Sequence, residues 1–74
     1  MFTIVTAREG QHCQWCDKAK ALLDSSGIAY TAVAMTDGMK AFFDAMGFKT
    51  VPQVWRNRQH IGGYQDLERF LDWG

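Results

Sequence analysis

The two cysteines of this chain stand three positions apart, in the segment Cys13-Gln14-Trp15-Cys16, and the chain has no others. The motif follows the apolar run Phe2-Thr3-Ile4-Val5 and leads into a segment with helical periodicity. A pair at this spacing can close into a disulfide. A helix N-terminus beside the first thiol favours its thiolate, the form that attacks other disulfides. The placement therefore indicates redox chemistry on a strand–helix unit.

The length and composition predict one small globular domain, residues 1–74, with 47% hydrophobic and 14% aromatic residues. A core of this size alone supplies about 3–5 kcal/mol at most. Eight basic and eight acidic residues give a formal net charge of zero, which disfavours a broad phosphate-binding surface. We see neither a signal-peptide pattern nor a run approaching about 18 apolar residues, and therefore expect a soluble, cytoplasmic protein.

The first half of the chain predicts a strand, a helix and a second strand. Residues 2–6 form the first strand. The helix begins at the cysteines and ends near Gly27, and residues 28–35 form the next strand, parallel to the first because a helix connects them. Apolar residues recur along one face of this helix at Cys16, Ala19, Leu22 and Leu23.

The second half predicts a helix, a hairpin and a final helix. Asp37 caps a helix that ends at Gly47 and whose apolar face we expect in the core: Met39, Phe42, Phe43 and Met46. Residues 53–56 and 59–61 form strands around a turn at Asn57-Arg58. Gly62-Gly63 opens a helix with Leu67, Phe70 and Leu71 on one face. The order is β-α-β-α-β-β-α, an α/β fold in which the helices cover the sheet.

Three motifs occur in a characteristic order: the cysteine pair at the start of the first helix, Thr50-Val51-Pro52 before the third strand, and Gly62-Gly63 before the last helix. With this order the chain resembles the glutaredoxins. The smallest members of that family, viral ones included, are near this length. The resemblance implies a thioredoxin-like fold, with a four-stranded mixed sheet flanked by three helices, and glutathione-dependent thiol–disulfide exchange.

The chain also departs from the family pattern. Many glutaredoxins carry Cys-Pro-Tyr-Cys, where this chain has Gln14 in place of the proline and Trp15 in place of the tyrosine. Trp15 keeps an aromatic wall beside the thiols. Members also commonly have a lysine shortly before the first cysteine, a position that only Arg8 or Gln11 could approximate here.

The position of each cysteine predicts its role. If Cys13 is the helix N-cap, its sulfur can accept the N–H groups of Trp15 and Cys16, and thiols so placed have a pKa of roughly 3.5–7.5 instead of about 8.5. We expect Cys13 to be the nucleophile. Cys16 lies one turn further on the apolar face, and we expect it to be the less exposed, resolving thiol.

The resemblance also implies a glutathione site. A cis bond before Pro52 would present Val51 to an extended peptide, although the sequence alone also permits an ordinary strand-start proline. Helix-start amides after the diglycine would hold the γ-glutamyl carboxylate, with Asp66 near the amino group and Lys49 on the glycine carboxylate. The implied residues are Trp15, Lys49, Thr50, Val51, Pro52, Gly63, Tyr64, Gln65 and Asp66, with Arg8 and Gln11 as further candidates.

Two other functions remain open on the sequence. One is a glutaredoxin-like redoxin reduced by thioredoxin reductase. The other is a metal-cluster carrier. His12, Cys13 and Cys16 could form a three-ligand cluster, although a structural zinc site needs a fourth ligand and we expect His60 at the rim of a site instead. The resemblance also leaves open an iron–sulfur cluster shared between two subunits, as occurs in some glutaredoxins. We expect Trp55 and Trp73 to serve packing and not function.

We predict no resident metal or tightly bound cofactor, glutathione as co-substrate, and a monomer that binds no nucleic acid. Ribonucleotide reductase is a common family partner that nothing in the sequence encodes.

Overall fold

A computed structural model describes residues 1–73, and the side chains of residues 1–72. Its elements follow the predicted order: β1 (Phe2–Thr6), α1 (Gln14–Ser25), β2 (Tyr30–Ala34), α2 (Asp37–Met46), β3 (Gln53–Arg56), β4 (Gln59–Gly62) and α3 (Tyr64–Trp73). The four strands form one mixed sheet in the order β2-β1-β3-β4. Strand β1 is parallel to β2 and antiparallel to β3, and β3 is antiparallel to β4.

The core lies between one face of the sheet and helices α1 and α3. It consists of side chains from β1, β3 and these two helices: Phe2, Ile4, Ala19, Leu23, Val54 and Leu67. Burial of each Leu or Ile side chain contributes about 1.5–3 kcal/mol. The half-buried Leu22, Phe70 and Leu71 pack around this cluster, as the helical periodicity predicts.

The turn after α1 fixes where β2 begins. The Ile28 N–H donates to the Leu23 carbonyl at 3.0 Å, and the Gly27 N–H donates to the Asp24 carbonyl at 3.1 Å. This arrangement ends the helix and brings the Ile28 side chain onto the core. Strand β2 therefore begins at Tyr30 and ends at Ala34, inside the predicted range of 28–35.

The prediction that all four apolar residues of α2 belong to the core is wrong. Only Phe43 is buried, whereas Phe42 is 57% and Met46 is 56% exposed, and Met39 is half-buried. Trp55 follows Val54 in β3 and so faces the opposite side of the sheet from the core. The Phe43 ring packs there, 5.5 Å from the Trp55 ring. Helix α2 thus packs Phe43 against this second face of the sheet.

The N-cap of α2 is Thr36, not Asp37 as predicted. The Thr36 hydroxyl accepts the Met39 N–H at 3.2 Å, and Thr36 has the extended backbone that an N-cap requires. Asp37 is instead the first helical residue, where its carboxylate pairs with Arg8 at 2.6 Å.

Two further predictions concern the tryptophans. Trp55 packs against Phe43 and His60, as expected. The side chain of Trp73, for which packing was also expected, lies outside the described residues.

Within residues 1–73, no helix is long and apolar enough to cross a membrane.

Candidate active site

The cysteine pair lies at the N-terminus of α1. Cys13 is the N-cap, with φ −139° and ψ 98°, and its sulfur accepts the Cys16 N–H at 3.1 Å. The second expected bond, from the Trp15 N–H, does not occur among the hydrogen bonds of the described residues. The two sulfurs form a disulfide, with the Cα atoms 5.2 Å apart.

The two sulfurs differ in exposure. Cys16 is 2% exposed and packs on the inner face of α1, whereas Cys13 is half-buried at the end of the helix. An attacking group outside the protein therefore meets Cys13 first. The positive end of the helix dipole also lies at Cys13 and favours negative charge on its sulfur.

Trp15 extends from the motif and is 48% exposed. Its ring lies 5.5 Å from the ring of Tyr64 at the start of α3. The Lys18 ammonium lies 4.4 Å from the centre of the same ring, at cation–π distance. These two contacts hold the indole beside the cysteines as one wall of a cleft.

The peptide bond between Val51 and Pro52 is cis, as the resemblance implies. The bond lies in the turn that enters β3, where Pro52 and Gln53 are both buried. The Gln53 side chain donates through Nε2 to the Thr50 carbonyl at 2.9 Å and so fastens this turn to the strand that follows it.

A cleft of about 610 Å³ opens beside Trp15. All nine residues of the principal glutathione prediction line it: Trp15, Lys49, Thr50, Val51, Pro52, Gly63, Tyr64, Gln65 and Asp66. They come from the start of α1, the turn before β3 and the start of α3. The fold therefore brings three separate stretches of sequence to one surface, which is large enough for a small peptide.

Further residues line the same cleft without having been predicted for it: Gly47, Phe48, Gln53 and Gly62, together with His60, for which only a rim position was expected. Gly47 ends α2 with φ +82°, and the next residue, Phe48, turns back so that its N–H donates to the Phe43 carbonyl at 2.8 Å. This reversal brings Phe48 to His60, with ring centres 4.2 Å apart. The glycine at the end of the helix predicts the turn, but it does not predict this contact with a residue twelve positions later in the sequence.

The start of α3 depends on the two glycines. Gly62 has φ +127°, and a Cβ there would lie 2.8 Å from the Asp66 Cβ, so only glycine fits without strain. The Gly63 N–H donates to the Asp66 carboxylate at 3.2 Å. The carboxylate of Asp66 thus supports its own helix start. The N–H groups of Tyr64 and Gln65, in the first turn, have no acceptor within the helix.

Arg8 and Gln11 lie outside the main cleft. They line a smaller neighbouring cleft of about 170 Å³ that shares Phe48, Lys49, Thr50 and Val51 with the larger one. Arg8 is already paired with Asp37. Lys49, which borders both clefts, has no carboxylate of the described residues within 4.0 Å of its ammonium group.

The three donors considered for a metal site do not assemble into one. Among the described residues, no three His, Cys, Asp or Glu side chains are grouped so that they could hold a metal ion. His60 lies in the cleft wall, where its Nε2 is 2.7 Å from Gln53 Oε1.

Comparison with known proteins identifies the family. The glutaredoxin family model matches residues 1–61. The chain belongs to the glutaredoxin family. It is 42% identical to glutaredoxin 3 of Escherichia coli over 59 residues, an alignment that covers 74% of this chain and 70% of that protein.

Solved glutaredoxin structures are similar over nearly the whole chain. The solution structure of glutaredoxin from Brucella melitensis superposes with a TM-score of 0.78 at 33% identity, covering 99% of this chain and 79% of that one. The crystal structure of a buckwheat glutaredoxin–glutathione complex gives 0.72 at 28% identity, covering 95% of this chain and 69% of that one. The thioredoxin-like fold is thereby confirmed. With its Cys13–Cys16 pair, this glutaredoxin is a thiol–disulfide oxidoreductase.

Proposed function

We propose that this glutaredoxin takes electrons from glutathione and reduces both protein disulfides and glutathione mixed disulfides. One observation carries the proposal: the nine residues implied for glutathione line a single cleft beside Trp15 of the cysteine motif. The similar buckwheat glutaredoxin has a structure in complex with glutathione, which supports the same ligand here. We further propose that the chain acts in the cytoplasm, where glutathione keeps thiols reduced.

The groups around the cleft match the chemistry of glutathione. An extended peptide can pair with the backbone of Val51 as an added strand does. The N–H groups of Tyr64 and Gln65 suit the γ-glutamyl carboxylate because they lie at the positive end of a helix. The Lys49 ammonium, which forms no ion pair within 4.0 Å with the described carboxylates, suits the glycine carboxylate.

Reduction of a glutathione mixed disulfide needs one protein thiol. The Cys13 thiolate attacks the glutathione sulfur, an S–S bond forms between them, and the substrate leaves as a thiolate that takes up a proton. A second glutathione thiolate then attacks the Cys13-bound glutathione sulfur. Oxidised glutathione leaves and the Cys13 thiolate returns, so that one free glutathione is consumed for each mixed disulfide reduced.

Reduction of a protein disulfide uses both cysteines. Cys13 attacks one substrate sulfur and releases the other as a thiol. Cys16 then attacks Cys13 in the mixed disulfide, frees the substrate and leaves the Cys13–Cys16 disulfide that the structure contains. Attack by glutathione on Cys13, followed by a second glutathione, returns both cysteines to thiols. Burial of Cys16 suits it to this internal step.

A coupled assay of NADPH consumption tests the electron source. The substrate is a mixed disulfide between glutathione and a small thiol. The reductant is glutathione with glutathione reductase in one assay, and thioredoxin reductase without added glutathione in the other. We expect turnover that saturates with the mixed disulfide in the first case and background rates in the second. Equal turnover with thioredoxin reductase alone would contradict glutathione dependence.

A further inference from the structure

Gln53 is the buried polar residue among the described side chains, with 6% exposure, and both ends of its amide are engaged. Its Nε2 donates to the Thr50 carbonyl at 2.9 Å, and its Oε1 lies 2.7 Å from His60 Nε2. Gln53 therefore connects a residue of β4 to the backbone of the turn before β3.

The directions of these two bonds follow from donor and acceptor chemistry. A carbonyl can only accept, so the amide NH₂ of Gln53 must face Thr50 and its oxygen must face His60. The Gln53 oxygen also can only accept, which requires that His60 Nε2 carries a hydrogen. The neutral Nε2–H tautomer and the doubly protonated ring both meet this requirement.

The ring of His60 is held in place by its neighbours. It stacks on Phe48 with ring centres 4.2 Å apart and an interplanar angle of 26°. The Trp55 ring lies on it at 4.8 Å. These contacts restrict rotation of the ring, so that Nε2 stays directed at Gln53. The chain of two hydrogen bonds His60–Gln53–Thr50, which we call the relay, therefore has a fixed geometry.

The relay fixes the backbone on which the proposed glutathione site depends. The Thr50 carbonyl and the Val51 N–H belong to one planar peptide unit, in which they point in opposite directions because the bond is trans. Since the carbonyl points toward buried Gln53, the Val51 N–H points away from it. Both Thr50 and Val51 line the cleft.

We propose that Gln53 and His60 are positioning residues that hold the Val51 N–H in its binding orientation before the peptide substrate arrives. This inference rests on the proposed function, because the peptide that benefits is glutathione. A donor fixed in advance costs less conformational entropy on binding than one that must be ordered. The relay should therefore affect the Michaelis constant for the glutathione mixed disulfide more than turnover.

A double-mutant cycle tests the relay. His60→Phe keeps a ring to stack on Phe48 and Trp55 but removes the Nε2–H, and Gln53→Met keeps the shape of the side chain but removes both bonds. We expect each to raise the Michaelis constant about fivefold to tenfold, the equivalent of about one neutral hydrogen bond, with turnover changed less than twofold. The double variant should match Gln53→Met, because His60 acts through Gln53. Gln59→Met, on the exposed part of β4, is the matched control and should leave both constants unchanged.

Two measurements on the protein itself accompany the kinetics. Nitrogen-15 NMR of the wild type should show a hydrogen on His60 Nε2, and amide hydrogen exchange at Val51 should be faster in both single variants, compared at equal stability to urea. Three results would overturn the relay. One is an unchanged Michaelis constant in folded His60→Phe, and another is a double variant whose increase in the Michaelis constant equals the product of the two single increases. The third is a His60 Nε2 that carries no hydrogen. If the wild type does not use glutathione at all, the proposed function fails. Unchanged exchange at Val51 would then separately overturn the relay.

Discussion

The sulfur of Cys13 accepts the backbone N–H of Cys16 at 3.1 Å, across the first turn of α1. The same two residues are also joined by their disulfide. When the disulfide is reduced, the N–H of Cys16 and the positive end of the helix remain at the Cys13 sulfur, where they stabilise a thiolate. Cys16, buried on the apolar face, has no such position.

The first prediction concerns the order in which the two thiols react. In the reduced protein, iodoacetamide at pH ~6 should modify Cys13 before Cys16, because thiolates at helix N-termini persist at pH values where ordinary thiols are protonated. Mass mapping of the modified peptide measures this order. The urea-unfolded reduced protein is the control and should show no preference. Labelling of Cys16 first in the folded protein would reverse the assigned roles.

The second prediction concerns Lys49, whose ammonium group borders both clefts. Lys49→Ala should raise the Michaelis constant for a glutathione mixed disulfide about twofold to fivefold, the range of an exposed ion pair, with little change in turnover. The increase should shrink at high salt, because screening weakens exposed pairs. Lys20→Ala, on α1 outside the cleft lining, is the matched control. Equal constants for Lys49→Ala and the wild type would remove Lys49 from the site.

The third prediction compares two adjacent glycines. Gly62→Ala should lower the free energy of unfolding by about 1–3 kcal/mol, since Gly62 has φ +127° and an added Cβ would collide with Asp66. Gly63→Ala should cost less than about 1 kcal/mol, because the nearest atom to its added Cβ is the Pro52 carbonyl oxygen at 3.6 Å, an ordinary contact. Urea unfolding measures both. Similar losses for the two variants would contradict this account of the start of α3.

The order of elements could be predicted because each is marked locally. Glycines at 27 and 47 end helices, Pro52 precedes β3, and the residues of β1 form a short apolar run. The burial of α2 could not be predicted in the same way. Helical spacing shows that Phe42, Phe43 and Met46 share a face, but how much of that face is covered depends on the opposing surface. There Trp55 contacts Phe43, and Phe42 and Met46 remain exposed.

In the candidate site, too, some residues are marked by local sequence and others depend on tertiary contacts. Residues carried by short motifs, such as Val51 and Tyr64, could be named from the sequence and line one cleft. Gln53 and His60 belong to a contact between β3, β4 and the turn before them, which no local pattern encodes. Arg8 likewise lines the smaller cleft, where it pairs with Asp37, a residue 29 positions away in the sequence.

The roles of the two cysteines are separated by the activities of Cys16→Ser and Cys13→Ser on two substrates, a small glutathione mixed disulfide and a protein disulfide. Glutathione and glutathione reductase are the electron source in both assays. Cys16→Ser should retain much of the activity on the mixed disulfide, because Cys13 and a second glutathione suffice, and lose most of the activity on the protein disulfide. There the internal attack of Cys16 benefits from an effective concentration far above that of any free thiol. Cys13→Ser should lose both activities. Loss of both activities in a folded Cys16→Ser protein would contradict the proposed division of roles between the two cysteines.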